Sequence, residues 1–221
     1  NGSGLLFRTG AFAMVTSQLL YDGLIALVAV ERLGELWLSK RNARLALSQG
    51  GIEVGQRHFR FMAMMHTLFL FACVAEVHIL APPFPHPMGY VALVIALLAQ
   101  ALRYWAIYTL GPRWNVRIIV LPNAPPVTGG PYRYLRHPNY TAVVAEILAL
   151  PLVHGAWITA ILFTLANAAI LFVRISAEEE ALGADWQERF AKLPRFVPTS
   201  LVASDEDPPQ SPSAPNPPKS S

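Results

Sequence analysis

Between Pro122 and Tyr140 the chain reads PNAPPVTGGPYRYLRHPNY, placing four prolines, Gly129 and Gly130 ahead of His137, with Tyr132, Arg133, Tyr134, Arg136 and Tyr140 close by. No lipid-exposed helix needs such a run. Irregular backbone is costly at membrane depth unless it is buried in protein or lines a watery cavity. A stiff, glycine-containing loop just before an apolar segment therefore suits a ligand at the cytoplasmic interface. The plainer reading is a cytoplasmic turn whose arginines snorkel to water. A second group lies at the cytoplasmic end of the last apolar segment, where Arg174 precedes Glu178, Glu179 and Glu180. Arg174 and Glu178 would share a helix face, and surface solvation explains them equally well when they are taken alone. Glu31 and Glu35, four apart inside an apolar segment, also share a face. They either line a site or are interfacial or paired charges.

The elements that must position these residues are membrane elements. Of 221 residues, 53% are hydrophobic and 14% charged, against roughly 25% charged in an ordinary soluble domain. Leu19 to Leu38, Phe61 to Ala81 and Gly89 to Leu110 each have the length of about 20 residues that a ~30 Å hydrocarbon core requires. The apolar stretch from Thr141 to Ile175 is long enough for two short or tilted helices, with the break at Pro151, His154 and Gly155. The expectation is thus an all-α integral membrane protein of about five transmembrane helices, the last two a helical hairpin. Ser176 to Lys192 follows as an amphipathic helix at the membrane surface, with Leu182, Trp186 and Phe190 at four-residue spacing. No strand pattern supports a sheet.

Charge supports that count. Lys40, Arg41, Arg44, Arg57 and Arg60 fall between the first two segments, and the Pro82 to Met88 connection has no Lys or Arg. Arg113, Arg117, Arg133 and Arg136 follow the third segment, the hairpin tip has none, and Arg174, Arg189, Lys192 and Arg195 follow the fifth. The positive-inside rule then puts the N-terminus outside and the C-terminal part in the cytoplasm. A formal charge of +3 spread this way forms no basic face for nucleic acid. The lone Cys73 allows neither an intrachain disulfide nor a cysteine metal cluster, and its place in an apolar run reads as packing. Residues 1–13 read as a scar or disordered start, with Met14 a natural beginning. The membrane domain then runs 14–198, followed by a Pro/Ser-rich disordered tail over 199–221.

The ordered set of GGPYRYLRHPNY, a helical hairpin, R-x-x-x-E-E from Arg174 to Glu179, a short amphipathic helix and LPRFVP from Leu193 to Pro198 resembles the isoprenylcysteine carboxyl methyltransferase family. It is more distantly similar to phospholipid methyltransferases. The resemblance covers about residues 100–198, the cofactor-binding core of the domain, and implies a methyltransferase that uses S-adenosylmethionine. By position it implies that the cofactor contacts the backbone of Ala124, Pro125, Pro126 and Val127, together with Tyr132, His137, Pro138, Asn139, Tyr140 and Glu178. Arg174 would face the methyl acceptor, which in the family's name-giving members is the carboxylate of a lipidated cysteine.

Methyl transfer needs an oxygen or nitrogen nucleophile held in line with the sulfonium carbon, and orientation with desolvation supplies much of the rate without a metal. Arg174 could hold a polar acceptor by two parallel hydrogen bonds. The chain departs from the family pattern at Ala124, where some relatives have His, in a short Glu180 to Trp186 segment, and at Trp186, where Tyr is usual. Its partners are the bilayer and a lipophilic or lipidated acceptor. The competing functions are N-methylation of a phospholipid head group, hydride transfer of the membrane sterol reductase kind with a nicotinamide, and a membrane protein without enzymatic activity. A soluble nucleotide-binding domain lacks support, since Gly2-Ser3-Gly4 is the only G-x-G.

Overall fold

The computed structural model describes residues 2–122 and 124–196. Five helices make up most of them: α1 (Gly2–Ser48), α2 (Gln56–Leu80), α3 (Met88–Leu110), α4 (Pro138–Leu152) and α5 (Trp157–Phe190). Four of these, over Met14–Ser48, Phe59–Leu80, Met88–Arg113 and Trp157–Phe190, are long and apolar enough to cross a membrane. The fourth in chain order, α4, has 15 residues. At 1.5 Å per residue that is about 22 Å, shorter than the ~30 Å hydrocarbon core. Outward-facing Leu20, Phe71, Ile79, Leu98 and Phe172 are all exposed. Such a surface suits acyl chains and not water.

The interior closes where small residues permit it. Gly89, Ala92, Ala96, Ala99, Arg103 and Ala106 form the buried face of α3, and α4 packs there with Ala142 and Ala149 buried on its own side. In lipid, helices gain most from close backbone approach, which small residues permit. Arg103 is the one large residue in that stripe, so it must meet a partner. Farther along the bundle Tyr21, Ile25, Met65, Phe69, Val77, Ile147 and Leu150 form a core that includes Cys73, the packing role expected of that cysteine. Helix α4 stops at Leu152 and α5 begins at Trp157. The intervening turn contains Gly155 at φ 74°, where the sequence places the break.

Two features differ from expectation. Residues 52–54 and 118–120 pair as antiparallel strands β1 (Ile52–Val54) and β2 (Ile118–Val120), with Glu53 opposite Ile119. Each is only three residues long, too short for an alternating pattern to register, and pairing across more than 60 positions leaves no local trace. The amphipathic helix also does not begin at Ser176: α5 runs on to a kink at the non-helical Gly183 (φ 79°, ψ −176°), and a second helical stretch follows it to Phe190. Past that bend Trp186 and Phe190 pack on Ala106 of α3 and on Tyr132, so its apolar stripe is satisfied by protein. The expected tail from 199 onward lies outside the described residues.

Candidate functional site

The proline-rich loop is shaped residue by residue. Gly130 has φ 52°, and a Cβ there would run into the Thr109 side chain and meet Trp105 Nε1 at 3.1 Å. Only glycine combines that left-handed backbone with so close an approach to α3. Pro131 then starts a 3₁₀ turn over Gly130–Arg133 that buries Tyr132. His137, restricted by the following proline, leaves helical geometry at φ −129° and ψ 61°, and Pro138 begins α4, where its missing N–H costs nothing. The same short segment thus ends the loop, aims His137 and launches the helix that carries Asn139 and Tyr140.

A cavity of about 860 Å³ opens among all five helices. Of the residues expected to form a site, Ala124, Pro125, Pro126, Val127, Tyr132, His137, Asn139, Tyr140, Arg174 and Glu178 line it. Pro138 does not, and is fully buried beneath them. The loop is braced by Arg113, whose Nη1 donates to the Pro125 carbonyl at 2.6 Å. Trp186, standing where a Tyr is usual, lines the cavity and lies against the His137 ring at 5.5 Å between centroids.

Two polar assemblies hold the wall. Arg174, 3% exposed, donates from Nε to the Tyr140 hydroxyl at 2.8 Å and from Nη2 to the Val116 carbonyl at 2.5 Å. Tyr140 in turn donates to Glu178. Arg174 and Glu178 therefore act together through a shared hydroxyl, and Arg174 Nη1 is left without a hydrogen-bond partner. That differs from an open fork of two parallel donors, because Nη2 is already held by backbone. Val116 is itself anchored from α1, its N–H donating to Ser39 Oγ at 3.2 Å. Burial, reinforced by the Glu178 charge, raises the Tyr132 hydroxyl above its ordinary value, which keeps it a neutral donor.

In the second assembly Glu179 accepts from Arg195 at 3.1 and 2.6 Å and pairs with His137 Nε2 at 3.0 Å. The Glu179 bond raises the Arg195 guanidinium above its ordinary range. Arg136 Nε donates to the Leu193 carbonyl at 2.6 Å. This strap ties R-H-P to the LPRFVP segment. Sequence reasoning placed Glu179 in the Arg174 group without giving it a role and counted Arg195 only among the cytoplasmic charges, although both lie inside the recognised motifs.

Sequence reasoning reached a third cluster only through the charges of the first span and missed Arg103 and Glu146. Arg32 pairs with Glu35 at 2.7 Å and with Glu146 at 3.3 Å, while Arg103 approaches Glu146 at 3.2 Å and Glu35 at 3.5 Å. Glu31 accepts from the Tyr104 hydroxyl at 2.6 Å, so both glutamates of that face are paired. Arg32, Glu35 and Arg103 line the cavity together with His66. The available signal was a single charge inside each otherwise apolar run, at Arg103 and Glu146.

Helices long and apolar enough to cross a membrane, packed around a cavity with a polar wall, make this an integral membrane protein with a candidate ligand site. The family model described as the isoprenylcysteine carboxyl methyltransferase family matches residues 91–184. The chain is 39% identical over 160 residues to the uncharacterized protein YpbQ of Bacillus subtilis, covering 72% of this chain and 94% of that one. It is 30% identical over 158 residues to an uncharacterized protein of Haemophilus influenzae, covering 71% and 91%. The chain belongs to the isoprenylcysteine carboxyl methyltransferase family, a family of membrane methyltransferases.

Proposed function

We propose that the protein transfers a methyl group from S-adenosylmethionine to a carboxylate or hydroxyl oxygen of a lipophilic acceptor, in a site facing the cytoplasm. The domain that does so runs 14–198, with its cofactor-binding core over 100–198. The observation that carries this reading is the junction of Arg174, Tyr140 and Glu178 on the wall that the 124–127 loop and His137 also line. The volume of about 860 Å³ lies within the roughly 300–1,000 Å³ of small-molecule sites. Asn139 Oδ1 on that wall is buried without a partner, an acceptor waiting for a donor that the protein does not supply.

When bound, S-adenosylmethionine supplies an electrophilic sulfonium methyl group. The chain's own residues bind, orient and exclude water. The backbone of Ala124, Pro125, Pro126 and Val127, with Tyr132, Asn139 and Glu178, offers donors and acceptors to ribose, amino and carboxylate groups. His137 and Pro138 set the geometry beneath them, and Trp186 covers the His137 side. The Nη1 donor of Arg174 holds the acceptor oxygen, while its Nε and Nη2 bonds keep it from swinging away. A fixed guanidinium also disfavours a cationic amine acceptor, which favours oxygen over the head-group nitrogen of a phospholipid.

The test incubates membranes containing the protein with S-adenosylmethionine labelled in its methyl group and separates lipid from protein. Label in the lipid fraction, dependent on the protein, is expected. Label in neither fraction, from protein that remains folded, would overturn methyl transfer to a lipophilic acceptor.

A further inference from the structure

Four charges set among membrane helices call for a reason beyond stability. Burying ion pairs carries a desolvation penalty, and apolar residues of similar size often hold a fold as well or better. The Arg32, Glu35, Arg103 and Glu146 cluster is not sealed between helices, since three of its members line the cavity that also holds Arg174. Its hydrogen bonding is incomplete. Arg32 Nε is buried without a hydrogen-bond partner, and Glu35 Oε1 meets Arg103 Nε only as an ion pair at 3.5 Å, too long for a good hydrogen bond. Buried polar groups in that condition point to a ligand or water.

His66 adds a directional group. Its Nδ1 lies 2.9 Å from the Met62 carbonyl, which can only accept, so Nδ1 carries the proton. In the neutral ring Nε2 is then a hydrogen-bond acceptor. The two arginines and two glutamates cancel in formal charge, so an added carboxylate would sit unpaired in a low-dielectric site. A neutral hydroxyl would instead donate to His66 and accept from Arg103. Tyr140 and Glu146 are six residues apart on α4, which places the cluster roughly 9 Å along the helix axis from the Arg174 site. Arg32, His66 and Arg103 line the same cavity as Arg174.

We infer that His66, with Arg32, Glu35 and Arg103, forms an acceptor-recognition subsite that takes a neutral hydroxyl on the head of the lipophilic acceptor, in addition to the oxygen that receives the methyl group. This rests on the methyl-transfer reading above. It assigns specificity to the membrane-buried end of the cavity, and to a hydroxylated lipid head instead of a lone carboxylate. His66 binds the acceptor hydroxyl directly here, and Glu35 is a positioning residue that holds Arg32 and Arg103. The methyl transfer itself stays with the Arg174 site.

The probes are a long-chain alkylphenol with one ring hydroxyl, the same chain on a ring with two, and a fatty acid of matched length. Each is supplied in detergent with methyl-labelled S-adenosylmethionine at saturation. The native protein should favour the two-hydroxyl ring over the one-hydroxyl ring by at least ~10-fold in kcat/KM, because a site built for a hydroxyl discriminates against the analogue lacking it. His66→Leu should reduce that ratio to about 1, mainly through KM, while cofactor still raises thermal stability as in the native protein. Glu35→Gln, which leaves the cluster with one positive charge in excess, should raise transfer to the fatty acid relative to both phenols. An unchanged ratio in His66→Leu overturns the subsite. So does a native protein that binds cofactor and labels membrane lipid but neither phenol. Loss of cofactor stabilisation together with absence of any labelled lipid would instead remove the methyl-transfer reading, and the subsite with it.

Discussion

At the level of single residues, Arg174 is held by two bonds and offers a third donor. Lysine in its place would carry the charge but could not meet Tyr140 and Val116 while presenting another donor in a fixed plane. Arg174→Lys should therefore keep cofactor affinity near normal and lower methyl transfer at least ~10-fold, a loss of about 1.4 kcal/mol in transition-state stabilisation. The assay is labelled-methyl transfer with cofactor saturating, and native turnover would make this arginine a topology signal only. Glu178→Ala is expected to behave in the opposite manner. It shares the Tyr140 hydroxyl but is assigned to the cofactor, so its defect should appear as weaker cofactor binding by titration without acceptor present.

Among the elements, the contact between the proline-rich loop and α3 is the most constrained. Gly130 has no room for a Cβ and a backbone that other residues rarely adopt, whereas Gly34 in α1 has nothing within 4 Å. Gly130→Ala should lower stability by about 1–3 kcal/mol, the usual cost of strain or overpacking at such a position. Gly34→Ala should leave it level or raise it by up to about 1 kcal/mol, because alanine is the better helix former. Thermal unfolding of both variants in one detergent provides the comparison. Equal responses would show that the loop is not seated on α3 as described.

For the whole molecule the open question concerns α4, which is shorter than the hydrocarbon core yet joined to α5 by a four-residue turn. Five crossings would place a reporter fused after Ser200 and another inserted in the Pro82 to Met88 connection on opposite faces. Four crossings, with α4 dipping and returning, would place both on the same face. The segregation of Lys and Arg favours opposite faces with the Ser200 reporter in the cytoplasm. Proteolytic or fluorescent reporters at the two sites decide between the arrangements, and a shared face would remove the five-crossing topology and the cytoplasmic site together.

The sequence by itself determined what rests on local composition and spacing. Runs of apolar residues marked the membrane helices because length and hydropathy are properties of contiguous chain. The turn after Leu152 was legible from Pro151 and Gly155, and the segment around His137 from its prolines and glycines, since each acts through its own backbone. Only the tertiary structure decided what depends on residues far apart. Tyr140 bridges Arg174 and Glu178 only because α4 and α5 pack together, and Glu179 meets Arg195 only because the chain turns back after Phe190. Strands β1 and β2 are too short to leave a pattern and meet only because α1, which leads into β1, packs against the segment after α3 that holds β2. The pairing of Arg32 and Arg103 with Glu35 and Glu146 joins three helices, and sequence shows each charge without its partner. Partners are set by which faces meet, and side-chain packing between helices chooses those faces.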